Sequence, residues 1–130
     1  MHENEIAAAV VDASVKVHST LGPGLLEHFY EVALAHELIK RGFWCERQVK
    51  IPINYDGIIF DEGFSADIIV NDLVIVELKS VKDLSEVHKK QLMTYLKLTK
   101  KKLGLLINFN ESLIKHGLKR IVNNLQPFAS

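Results

Sequence analysis

Asp67, Glu77 and Lys79 have the types and spacing to do chemistry, because they break into an otherwise oily stretch, Asp67-Ile-Ile-Val-Asn-Asp-Leu-Val-Ile-Val-Glu-Leu-Lys79. Acidic groups that converge at the end of a buried strand supply what a hard divalent cation requires: a few oxygen ligands, with waters filling the rest of the Mg2+ octahedron. A neighbouring lysine suits phosphoryl chemistry. Its ammonium can neutralise charge growing on a pentavalent phosphate, or help orient and deprotonate a water whose pKa the metal has lowered. The bare Glu-x-Lys tripeptide has a plainer reading, a solvated pair at a strand end, so its neighbours must decide.

The elements that position these groups follow from the same stretch. Ile68–Val70 and Leu73–Val76 have the composition of strands covered on both faces, and Asn71-Asp72 between them is a turn signal. Residues two apart on a strand share a face, so Glu77 and Lys79 point the same way and Leu78 points oppositely. Parity then gives a test. A regular two-residue loop at Asn71-Asp72 pairs Val70 with Leu73 and Asp67 with Val76, which sends Asp67 and Glu77 to opposite faces. A three-residue loop centred on Asp72, or one bulge, sets Asp67 directly opposite Glu77, and a shared metal site predicts that irregularity.

Upstream, Gly24-Leu-Leu-Glu27-His-Phe-Tyr30 opens a helix, and downstream His88-Lys-Lys-Gln91-Leu-Met-Thr-Tyr95 lies on another. In this order these residues resemble the PD-(D/E)xK nuclease superfamily, and the Gly24, Glu27, Tyr30 spacing resembles its small GxxExxY family. Gln91 and Tyr95 are also similar to the helix motif of the recombination-type exonuclease branch. The resemblance covers nearly the whole chain. It implies metal ligands at Asp67 and Glu77, a catalytic lysine at Lys79, an accessory acid at the metal in Glu27, and support or phosphate contact from Gln91 and Tyr95. The implied metal is Mg2+, with Mn2+ as a substitute. Relatives that bind an iron-sulfur cluster use several cysteines, and the single Cys45 argues against a cluster here.

With 130 residues, 48% hydrophobic and 25% charged, the chain reads as one folded domain, residues 1–130, able to bury a core without staples. One cysteine forms no internal disulfide, no stretch approaches the ~20 apolar residues of a membrane span, and no signal-peptide pattern opens the chain, so a cytoplasmic protein is expected. Lysine plus arginine and aspartate plus glutamate number 16 each, which counts against gripping nucleic acid by bulk charge. Position softens this objection. Lys89, Lys90, Lys97, Lys100, Lys101 and Lys102 crowd one region, a basic side for a backbone or simply a solvated helix face.

In chain order, Ile6, Val10, Ala13 and Val17 mark an amphipathic helix over 4–20 that breaks at Gly22-Pro23-Gly24. Leu25–Arg41 reads as a second helix, with Leu26, Tyr30, Ala33, Leu34 and Leu38 on its inner side and Gly42 as its stop. Glu27 falls in its first turn, where an acid also complements the helix dipole by ~0.3–1 kcal/mol; Tyr30, one turn on, shares its face. Val49, Ile51, Ile53 and Tyr55 alternate as one strand, turned back by Asp56-Gly57 into Ile58–Phe60, with Pro52 marking an edge. Gly63 reads as a bulge or close approach. Asp83 or Ser85 caps a third helix to Thr99, placing His88, Gln91 and Tyr95 on one side beside Leu84, Val87, Leu92 and Leu98. His88 is left out of the metal shell. Leu103–Phe109 reads as an inner strand beside the central hairpin, and Gly117–Val122 as either a strand or a helix turn.

The expected architecture is α/β, a three-layer-type core with a central mixed sheet of about four to five strands flanked by helices; the resemblance implies the same restriction-endonuclease-like core. The leading functional expectation is a Mg2+-dependent nuclease acting on DNA through a metal-activated water. The alternative is a non-catalytic nucleic-acid- or protein-binding module on the same fold, which neutral charge and small size favour. A homo-oligomer would supply the substrate-gripping surface that a small domain lacks.

Overall fold

A computed structural model of the chain describes residues 1–61 and 64–126. Two helices come first, α1 (Glu3–Leu21) and α2 (Glu27–Lys40). The strands are β1 (Cys45–Lys50), β2 (Ile53–Tyr55), β3 (Ile58–Phe60), β4 (Ser65–Val70), β5 (Val74–Lys79), β6 (Leu103–Asn108) and β7 (Leu118–Val122). Helix α3 (Glu86–Thr99) joins β5 to β6, and a 3-10 turn at Ile114–His116 precedes β7. The sheet order is β1-β4-β5-β6-β7, while β2 and β3 form a separate hairpin. Only β5 and β6 run parallel, as a crossover through a helix requires; the other pairs of the sheet are antiparallel.

Each face of the sheet buries its own core. Ile6, Val10 and Ala13 of α1 and Tyr30, Leu34 and Leu38 of α2 pack on Ile68, Val70, Val76 and Leu78. Leu92, Tyr95 and Leu96 of α3 pack on the opposite face against Ala66, Ile69, Ile75 and Leu106. This is the expected three-layer α/β architecture, and it explains why β4, β5 and β6 are aliphatic without alternation: both of their faces are covered. Among the described residues no helix is long and apolar enough to cross a membrane.

Several details depart from the expectations. The alternation over Val49–Tyr55 is not one strand. The five-stranded sheet loses the chain after Lys50, Ile51 sinks into the core on the α3 side, and pairing resumes at Ile53 in the separate hairpin. Pro52, with no N–H to donate, stands at the break. β1 is one of the two edge strands of the sheet, but Pro52, on which an edge was expected, lies outside it. Helix α2 begins at Glu27, and Leu26, expected on the inner side, is 74% exposed. On α3, Val87 and Leu98 also face outward; the buried stripe is Leu92, Tyr95 and Leu96. Ser85 is the cap, its hydroxyl accepting from the His88 N–H while the His88 ring accepts from the Ser85 N–H. The ambiguous segment after Gly117 is a strand. Asp56 and Gly57 both take the left-handed backbone of a tight hairpin turn. The expectation at Gly63 lies outside the described residues.

Candidate active site

The β4–β5 connection is the irregular one. Val70 pairs with Val74, Ile69 with Ile75 and Ile68 with Val76, leaving Asn71, Asp72 and Leu73 as a three-residue loop centred on Asp72. Asn71 and Asp72 both take left-handed backbone, φ 51° and 56°, which Asn and Asp tolerate better than other side chains. Neighbours hold the loop: Asn71 Oδ1 accepts from the Trp44 N–H at 2.9 Å, and the Lys101 ammonium donates to the Asp72 carboxylate at 2.9 Å.

Continued by one step, this register sets Asp67 opposite Glu77. Each carboxylate there accepts from the other strand's backbone. Asp67 N–H donates to Glu77 Oε1 at 3.2 Å, and Leu78 N–H donates to Asp67 Oδ2 at 2.8 Å. Glu77 is 6% exposed, and burial followed by the adjacent Asp67 charge pushes its carboxyl up to about 9. Asp67 is also raised, first by burial. Crowding two acids into one buried place disfavours their being charged together. Tyr95 of α3 is close enough that both charges, after burial, raise its phenol.

A second irregularity lies beside the first. β1 pairs with β4 at Arg47↔Ile68 and again at Val49↔Ala66, and the Gln48–Asp67 step between them is not paired. Both strands change face there. Ile68 packs toward α1 and α2 while Ala66 packs toward α3; Arg47 reaches α2 while Val49 lies on the α3 side. Gln48 makes the change with left-handed backbone, φ 51°. Its side-chain amide donates to Asp67 Oδ1 at 3.2 Å and to Glu31 Oε1 at 2.5 Å, and Arg47 closes on Glu31 Oε2 at 2.8 Å. Glu31, Arg47 and Gln48 were not singled out in the sequence. The available signals were Glu31 one turn beyond Glu27, and three consecutive polar residues, Glu46-Arg47-Gln48, in the middle of a strand.

The remaining site residues are placed as follows. Lys79 ends β5 on the same side as Glu77, and its charge acts on Glu77 in the lowering direction. Its carbonyl accepts from the Phe109 N–H at 2.8 Å, and fully buried Asn108 clasps the backbone of Val81 through both ends of its amide, so the chain leaving Lys79 is fixed. Glu27 accepts from the Ser80 N–H at 3.4 Å, one residue past Lys79; no described contact joins it to Asp67 or Glu77. Tyr30 is fully buried, stacked on Phe109 at 4.5 Å, and its hydroxyl donates to Gly22 O at 2.6 Å and accepts from the Leu25 N–H at 3.0 Å. That clamp holds the turn from which Glu27 starts. Tyr95 lies edge-on to Phe64. Gln91 is half-buried one turn before Tyr95.

Among the described residues no group of three or more His, Cys, Asp or Glu side chains is gathered as a ready metal cage. Two carboxylates do converge, which is the donor set expected for an ion that binds through one or two carboxylates and keeps its waters. A cation between them would favour the ionised form of both carboxylates. The amino-acid sequence matches the PD-(D/E)XK nuclease superfamily over residues 4–121. The chain belongs to that superfamily. PD-(D/E)XK membership brings a nuclease-type function, nucleic acid as partner and, in general, dependence on a divalent metal. No curated protein and no solved structure gives a match to the chain.

Proposed function

We propose that this PD-(D/E)XK protein is a Mg2+-dependent deoxyribonuclease of the GxxExxY type, hydrolysing DNA phosphodiester bonds with a metal-activated water. The observation that carries the reading is the three-residue β4–β5 loop, because it sets Asp67 against Glu77 with Lys79 on the Glu77 side. In this reading Asp67 and Glu77 would hold the metal, whose chemistry when bound would be to lower the pKa of a water and act as a Lewis acid at the phosphate. Lys79 meets charge developing on the scissile phosphate. Glu27 lies a residue's length from Lys79, through Ser80, and would serve as the accessory acid beside the metal. Tyr95 and Gln91 line the α3 side as supporting or phosphate-touching groups, and Tyr30 supports Glu27 from beneath.

The test is cleavage of labelled linear, nicked and single-stranded DNA with Mg2+ or Mn2+, beside Glu77→Ala and an EDTA control. Activity should fall to background in both controls, with the variant still folded; normal cleavage by Glu77→Ala would overturn the assignment. A non-catalytic binding module is the second reading, favoured by equal numbers of acidic and basic residues. Absence of both cleavage and Mn2+ binding by calorimetry would decide for it.

A further inference from the structure

We propose that Gln48, anchored by the buried carboxylate of Glu31, is a positioning residue that fixes the orientation of Asp67. The metal-binding consequence rests on the nuclease reading above; the positioning itself does not. Three features meet at this residue. Its backbone is left-handed within a strand, a conformation that costs a side-chain-bearing residue and persists only where its surroundings demand it. The β1–β4 ladder is interrupted at the Gln48–Asp67 step and resumes on both sides of it. The side-chain amide then spans two carboxylates, with Glu31 accepting at 2.5 Å and Asp67 at 3.2 Å.

The geometry explains why a neutral amide stands there. Asp67 Oδ2 is taken by the Leu78 N–H, so its free rotation is limited by one bond; the Gln48 donor on Oδ1 adds a second and fixes the carboxylate plane. A lysine or arginine at position 48 would fix it too, but would compete with a cation for the Asp67 charge. An amide orients the ligand and leaves it anionic, the usual task of a group that supports a metal-binding residue. Glu31 is 4% exposed and is itself held by Arg47, so the anchor of Gln48 does not swing.

The experiment compares the wild type with Gln48→Met, which keeps the length and loses the amide, and Gln48→Gly, which loses the amide and suits the left-handed backbone. Amide hydrogen exchange is read by NMR in the metal-free protein, and Mn2+ affinity by calorimetry. Protection of the Leu78 N–H, whose acceptor is Asp67, should fall by about 10-fold in both variants while Val76 and Leu105 in the sheet centre keep theirs. Mn2+ should bind about 10–100-fold more weakly. Unchanged Leu78 protection in the folded variants would overturn the proposal. If Leu78 responds but the wild type binds no Mn2+, the positioning role stands and the metal reading falls.

Discussion

A carboxyl group raised to about 9 leaves a mark on the metal-free protein that needs no substrate to detect. The folded state holds the Glu77 proton between the group's ordinary value near 4.5 and about 9, whereas the unfolded chain releases it. The folded state therefore binds more protons across that window, and stability falls as pH rises through it, by up to ~1.4 kcal/mol for each pH unit. The raised Asp67 acts in the same direction above its own ordinary value. Thermal melts in EDTA should show a midpoint that drops from pH 5 to pH 8, and Glu77→Gln should flatten much of the drop; a pH-independent midpoint in the wild type would contradict this burial account. The two carboxylates were legible in the sequence because strand parity ties their facing to the loop length. Glu31 and Gln48 were not, because their roles come from a helix and a strand 17 positions apart that meet only in the folded protein. Tyr30 was legible as a neighbour of Glu27, but its clamp on the Gly22–Leu25 turn was not.

Helix α3 lies so close to the sheet that β6 carries a glycine beneath it. A Cβ on Gly104 would meet the Cγ, Cδ1 and Cδ2 atoms of Leu92 at 2.9 Å. Leu92 is itself buried, with little room to yield, so Gly104→Ala should cost about 1–3 kcal/mol through overpacking, read as a lowered denaturation midpoint. The Ser85 cap is a smaller contribution: Ser85→Ala should cost about 1 kcal/mol. Helix ends and the β2–β3 hairpin were readable because capping residues, Gly22, Gly42 and Asp56-Gly57 act locally. The end of β1 was not, since alternation runs on through Ile51 and Ile53 and only the tertiary fold shows which sheet each residue joins. The outward turns of Val87 and Leu98 were missed for a related reason: α3 buries a narrow stripe, so spacing alone overcounts its inner face.

Taken whole, the molecule keeps its two cores independent of the β2–β3 hairpin, none of whose side chains belongs to either. Replacing residues 53–60 by a short Gly-Ser link should leave the cooperative melt and Mn2+ binding intact, which calorimetry can check; loss of the cooperative transition would show the hairpin to be part of the core. The three-layer order was legible because long aliphatic runs demand cover on both faces. Those same runs have another effect. Ile68, Ile69, Val70, Val74, Ile75 and Val76 are all buried, so β4 and β5 would bury similar oil in either of two alignments, and hydrophobicity does not choose between them. The choice falls to Asn71 and Asp72, whose left-handed backbone spells a loop of three. The turn acts like a reading frame for the chemistry: a substitution in the oily strands alters packing, whereas loss of one loop residue would recast which side of the sheet each downstream letter addresses.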